Sequence, residues 1–237
     1  MSTLPKLNSD YKYEMTLPVS GIKHRYRPYL VKEEKALLMA NESEERSAMA
    51  IAMRDTLESC VEGADVGNMA LADVEYAFSQ VRARSAGETV IVREVKCEHC
   101  GAPHRASINL LDATITDTEF EEQHSIELQS GWILDVRWPS LESAINAPHT
   151  ASEVDQAFAM MAEVMVALRN PDGMWDFAEV SDAEKQEFIE SMNADQLGKV
   201  KEYIENMPQC KIDLKFTCTD CFEQTTIELK GIENFFG

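Results

Sequence analysis

Two Cys-x-x-Cys pairs, Cys97-Glu98-His99-Cys100 and Cys218-Thr219-Asp220-Cys221, constrain this chain more than any other feature, because 117 residues lie between them. Each pair follows an extended stretch (VIVREVK, KIDLKFT) and precedes an alternating one, Ala106/Ile108/Leu110 in the first case and Thr225/Ile227/Leu229 in the second. The apolar positions six and eight residues after the second cysteine share one parity in both, and this is the internal repeat of the chain. A strand, two thiolates on a tight turn and a returning strand make a knuckle, and two facing knuckles supply the four sulfurs that tetrahedral zinc takes. Local spacing cannot bring these knuckles together, so an insertion must. The expected fold is therefore α+β, with a split zinc-ribbon-like β unit (residues 88–111 and 208–237) interrupted by residues 112–207. The expected metal ligands are Cys97, Cys100, Cys218 and Cys221, holding a structural Zn2+. A closed four-sulfur site leaves no position for water, so no catalysis is assigned to this metal.

Other readings of the cysteines stay open. Thioredoxin-like redox chemistry fits less well, since neither pair opens a helix that would stabilise a thiolate. Iron, or thiols without metal, remain alternatives. His99 and His104 lie within reach of the first knuckle and could replace a sulfur, although surface positions on the hairpin loop suit them better. Phe222 follows Cys221 where glycine is common. Cys60 and Cys210 read as small buried hydrophobes.

Charge marks the insertion. The chain carries 42 Asp+Glu against 22 Lys+Arg, a net of −20. Residues 112–207 hold 21 of those acids and 5 of the bases, a net of −16, which leaves −4 for the rest. Such an excess of acid argues against general binding to phosphate backbones, which needs clustered cations. The longest apolar run, Ala157 to Leu168, is broken by Glu163 and is far short of the ~20 residues that span a bilayer. The N-terminal MSTLPKLNSDYKYEM lacks the basic and apolar regions of a signal peptide. A soluble, non-exported protein without membrane contact is expected.

Along the chain, residues 1–87 predict a β-hairpin and a helical group. Tyr11 to Leu17 and Ile22 to Arg27 alternate around a Pro18-Val19-Ser20-Gly21 turn. Helices are predicted over Val31 to Met39 and Ser43 to Val61. Leu71, Val74, Ala77/Phe78 and Val81 form an amphipathic stripe that Gly87 ends. The acidic insertion is expected to be mainly helical. After strand-like pieces at His124 to Leu128 and Trp132 to Trp138, Thr150-Ala151-Ser152-Glu153 has capping-box form and predicts a helix carrying Val154, Phe158, Met161, Met165 and Leu168 on one face. Ser181-Asp182-Ala183-Glu184 predicts a second helix start, and Asn193 a third, stopped by Pro208. Lys211 to Thr217 and Thr225 to Leu229 predict the closing strands.

Lys23-His24-Arg25-Tyr26-Arg27 mixes bases with aromatics, as nucleic-acid binders do. An exposed basic hairpin face is the simpler reading against the acidic background. His24, His124 and His149 belong to no triad pattern, and no phosphate-binding or nucleophile-elbow motif occurs. No catalytic residue and no enzyme activity is expected.

The segments YEMTLPVSGIKHRYRPYLVKEEKALLMANES, LADVEYAFSQVRARSAGE, GWILDVRWPSLESAI, EKQEFIESMNADQLGKVKEYIENMP and FTCTDCFEQTTIELKGIENFF together resemble the baseplate hub subunit and hub assembly protein family of T-even-like contractile-tail bacteriophages. The resemblance covers nearly the whole chain, and its most specific parts are the Tyr-Arg-Pro hairpin running into VKEEK and the closing GIENFF. It implies a non-enzymatic tail protein that builds the central hub through contacts with other baseplate proteins, as a subunit or as an assembly chaperone. The implied place is the host cytoplasm during tail assembly, with residence in the virion and formation of homo-oligomers left open. The rival reading is a zinc-ribbon nucleic-acid or transcription module.

Overall fold

The computed structural model describes residues 10–43, 46–116, 123–146 and 153–230. The alternating N-terminal segment pairs as expected: β1 (Tyr13–Thr16) runs antiparallel to β2 (Lys23–Tyr26), from Tyr13 opposite Tyr26 to Thr16 opposite Lys23. Met15 and Leu17 point to the core, and the turn between the strands closes with Gly21 at φ 69°, a conformation that glycine adopts without steric cost. The next helices are α1 (Val31–Glu42), α2 (Arg46–Cys60) and α3 (Leu71–Ala86). The predicted stripe on α3 is its buried face, with Val74, Ala77, Phe78 and Val81 all sealed from solvent. The strand β2 is stitched to the end of α2, where the Arg27 amide donates to the Cys60 carbonyl and the Glu62 amide to the Arg25 carbonyl. Asp73, in the first turn of α3, accepts from the amides of Val19 and Ser20 at 2.9 Å each and so anchors the hairpin turn.

The chain then forms the first ribbon hairpin, β3 (Thr89–Lys96) with β4 (Pro103–Asn109), followed by the short β5 (Thr114–Ile115). The acidic segment comes next. It carries β6 (Gln123–Gln129), β7 (Trp132–Arg137), α4 (Leu141–Asn146), α5 (Glu153–Val164), β8 (Met165–Asn170), β9 (Gly173–Asp176), α6 (Asp182–Glu190) and α7 (Ala194–Asn206). The strands make one antiparallel sheet in the order β6-β7-β8-β9. Its apolar face packs under the helices through Leu134, Val136, Met161, Val164, Ile189, Val200 and Tyr203.

One expectation here is corrected. The helix expected to run from Thr150 through Leu168 stops at Val164, and Met165 and Leu168 lie on β8. Met161, Met165 and Leu168 fit a helical period, but a short apolar run is ambiguous between helix and strand. Pairing decides it, since β8 hydrogen-bonds to β7 on one side and, through the Asn170–Gly173 turn, to β9 on the other. The Asn170 side chain accepts from the amides of Asp172 and Gly173, a local bond that favours the turn. Thr150, Ala151 and Ser152 lie outside the described residues, as do His149, the Glu121-Glu122 pair and the closing GIENFF. The other two helix starts form as predicted: Ser181 and Glu184 bond reciprocally, as do Asn193 and Gln196.

The last strands, β10 (Cys210–Thr217) and β11 (Gln224–Lys230), pair residue for residue from Lys211–Lys230 to Thr217–Gln224, and β10 also pairs with β5. The ribbon core joins both hairpins: Val90, Val95, Ile108 and Leu110 pack with Ile212 and Leu214, and Ala83 of α3 completes the cluster. Full burial of a branched aliphatic side chain is worth roughly 1.5–3 kcal/mol. The chain therefore divides into two compact units, Met1–Thr118 with Pro208–Gly237, and Glu119–Met207.

Candidate metal centre

The two knuckles have the same backbone. In the first, the Gly101 amide donates to the Cys97 carbonyl at 2.8 Å and the Cys97 amide to the Ala102 carbonyl at 2.9 Å. In the second, the Phe222 amide donates to the Cys218 carbonyl at 3.0 Å and the Cys218 amide to the Glu223 carbonyl at 2.9 Å. This turn needs a left-handed residue after the second cysteine. Gly101 supplies it at φ 74°, whereas Phe222 is held there at φ 61° and is the described non-glycine residue with positive φ. For an L-residue with a bulky side chain that conformation is strained.

Register within β3–β4 and β10–β11, and the core between the hairpins, bring the knuckles face to face. The sulfurs of Cys97, Cys100, Cys218 and Cys221 all lie within 4.8 Å of one another. The short approaches run between knuckles: Cys97 to Cys221 at 3.7 Å and Cys100 to Cys218 at 3.5 Å. Zinc–sulfur bonds of about 2.3 Å in a tetrahedron place sulfurs about 3.8 Å apart, so this constellation fits a four-thiolate ion with little adjustment. The four thiols are free, with no disulfide among them. The cluster is compatible with a split zinc-ribbon-like unit and can hold a metal.

Surrounding donors prepare two of the sulfurs for the anionic form. The Thr225 hydroxyl, 3.4 Å from Cys97 Sγ, and the amides of Cys100 and His99 hold the Cys97 thiol down to about 6. The amides of Cys221 and Asp220, at 3.5 and 3.4 Å, lower Cys218. Against the pull of the Ala102 amide, the Cys218 sulfur and burial push Cys100 up. Against the Glu223 amide, burial and the neighbouring sulfurs push Cys221 up to about 12. Each close pair thus combines one sulfur inclined to thiolate with one inclined to thiol, and a dication taking all four must displace protons.

The histidines beside the knuckles differ in role. His99 is exposed, with Nε2 3.3 Å from the Gln224 carbonyl. His104 is not the hairpin-surface residue expected from sequence. It is half-buried against Phe216, with ring centroids 5.2 Å apart, and its Nε2 lies 3.1 Å from Cys218 Sγ in the opposite knuckle. Thr225 is fully buried; the alternation places it in the closing strand without marking it as a site residue. Its signal was available: it stands four residues after Cys221, on the parity that already marked Ile227 and Leu229 as inward.

The remaining sequence candidates have structural explanations. Lys23 pairs with Glu14, Arg25 makes a two-pronged bond to Glu62 at 2.8 and 2.9 Å, and Arg27 is buried against Glu33 at 3.0 Å. Arg27 is therefore no part of an exposed basic face. Glu33 sits in the first turn of α1 and also accepts the Leu30 amide, so the arginine is drawn inward to a carboxylate already fixed in place. Cys60 and Cys210 are fully buried, and burial pushes both thiols up, Cys60 to about 11, which leaves neither nucleophilic.

A family model described as T4 bacteriophage base plate protein matches residues 9–237, nearly the whole chain, and the chain belongs to that family. Comparisons with curated proteins and with solved structures give no match. Among the described residues no helix is long and apolar enough to cross a membrane.

Proposed function

We propose that this member of the T4 bacteriophage base plate protein family is a non-enzymatic factor in assembly of the central hub of the baseplate, acting through contacts with other baseplate proteins as a subunit or as a chaperone. The match over residues 9–237 is the observation that carries this reading. Charge supports it. The strongly acidic segment suits salt-sensitive engagement of a basic partner surface during tail assembly in the host cytoplasm. The described surface also presents Met174 and Trp175, the latter stacked on Trp132 at 5.8 Å, and such adaptable apolar groups suit protein partners. In this reading Cys97, Cys100, Cys218 and Cys221 bind a structural Zn2+ that ties the two halves of the ribbon across residues 112–207.

The rival reading, a nucleic-acid-binding ribbon, would draw on Lys23, Arg25 and Arg27, whose charges are each already matched by Glu14, Glu62 and Glu33. The deciding experiment is affinity purification of the tagged full chain from infected cells at two salt concentrations, alongside duplex DNA titration of the pure protein. Co-purification of baseplate proteins that falls with salt, and no DNA binding at physiological ionic strength, is expected. Recovery without any tail protein, or tight DNA binding with a steep salt slope, overturns the proposal. Presence or absence in purified particles then separates subunit from chaperone.

A further inference from the structure

His104 stands four residues after Cys100, and Thr225 stands four residues after Cys221. These are equivalent positions of the repeat, and both face inward with the residues two and four further on: Ala106 and Ile108 in one hairpin, Ile227 and Leu229 in the other. Their polar atoms do not reach the cysteines of their own knuckle. His104 Nε2 lies 3.1 Å from Sγ of Cys218, the first cysteine of the second knuckle. Thr225 Oγ1 lies 3.4 Å from Sγ of Cys97, the first cysteine of the first knuckle. The arrangement is a reciprocal exchange of polar contacts across the centre.

We infer that His104 and Thr225 are paired positioning residues that each donate to a metal-binding thiolate of the opposite half of the ribbon, and so lock together two hairpins that lie far apart in sequence. This rests on the zinc reading above. A thiolate bound to a metal keeps lone pairs that accept hydrogen bonds, and outer donors of this kind fix ligand orientation and raise metal affinity. His104 stands outside the four-sulfur set. Its ring nitrogen shares a 4.8 Å neighbourhood with Cys218 and Asp220, not with the full set of four sulfurs, so the imidazole sits on the outer side of Cys218. Its ring is held there by Phe216. The two knuckles also differ usefully: a hydroxyl serves Cys97 and an imidazole N–H serves Cys218, so each donor can be removed independently.

The test uses the full chain with zinc and, separately, cobalt(II) as probes. His104→Phe keeps a ring against Phe216 and removes the N–H, while Thr225→Val keeps the shape and removes the hydroxyl. Each should weaken zinc binding at least about 10-fold in competition with a chromogenic chelator. The cobalt spectrum should retain four-thiolate charge transfer in both. His104→Gln and Thr225→Ser, which restore a donor, should recover most of the affinity, a rescue that a purely packing role would not produce. Unchanged zinc affinity in the Phe and Val variants overturns the inference, as does a wild-type cobalt spectrum showing a nitrogen ligand that His104→Phe abolishes. A folded wild-type chain that takes up neither metal overturns the zinc reading itself, and this inference with it.

Discussion

Cys100→Ser removes one sulfur from the centre while disturbing little packing, because Cys100 is exposed whereas Cys97 and Cys218 are buried. The expected loss comes from the chain that the centre closes. With 117 residues between Cys100 and Cys218, a metal held by all four sulfurs would exclude a very large set of open conformations from the unfolded ensemble. The chain-entropy relation for a covalent link around such a loop gives about 5 kcal/mol. For a protein of this size each kcal/mol moves the melting temperature by about 2–4 °C, so the full effect is about 10–20 °C. The assay is thermal melting followed by circular dichroism, on wild type and variant, each with and without a zinc chelator. Chelation should lower the wild-type transition by that amount and leave the variant nearly unmoved, since both perturbations remove the same link and cannot add. A variant melting within about 2 °C of wild type, both indifferent to chelator, would refute the staple; that threshold is about 1 kcal/mol.

Three further outcomes follow from the geometry. Phe222→Gly should stabilise the protein by about 1 kcal/mol, because it relieves a left-handed φ of 61° at a side chain that is 79% exposed and so contributes little packing; a lowered urea midpoint would count against this. Glu33→Gln should cost about 3–5 kcal/mol at pH 7 by leaving buried Arg27 without its anion. Burial works to raise the Glu33 carboxyl, but the bonds from Lys32, Arg27 and the Leu30 amide outweigh it and hold it below the ordinary range. Its stabilisation is therefore complete above the unfolded value of about 4.3 and is lost as pH falls through the lower folded value. Urea midpoints between pH 7 and 3 should accordingly fall more steeply for wild type than for Glu33→Gln, and parallel curves would contradict the assignment. Asp73→Ala should destabilise by about 1–3 kcal/mol, since the amides of Val19 and Ser20 lose their acceptor; faster amide exchange at both is the readout, and unchanged exchange would tell against the anchor.

Much of the local structure was legible in the chain. Alternation at Tyr13–Thr16 and Lys23–Tyr26 predicted the hairpin, the Val74/Ala77/Phe78/Val81 spacing predicted the buried face of α3, and Ser181 and Asn193 predicted two helix starts, because each signal acts over only a few residues. Where period was ambiguous the reading failed: Met165 and Leu168 suit a helix as well as a strand, and only hydrogen bonding to β7 and β9 made them strand β8. Arg25 on β2 and Arg27 just beyond it looked like one exposed basic face because their carboxylate partners, Glu62 and Glu33, come from elements that sequence alone does not place beside them.

The centre divides in the same way. From the sequence alone come two thiol-bearing turns of like spacing that suit one four-sulfur site, since thiolate number and spacing are local chemistry. Which sulfurs approach each other was decided only in three dimensions: Cys97 with Cys221 and Cys100 with Cys218, with Thr225 and His104 crossing to the opposite halves. Those contacts depend on the shared core of Val95, Ile108, Ile212 and Leu214, which sets how two distant hairpins face one another. Pairings between residues more than a hundred positions apart are properties of packing, and no window of sequence contains them.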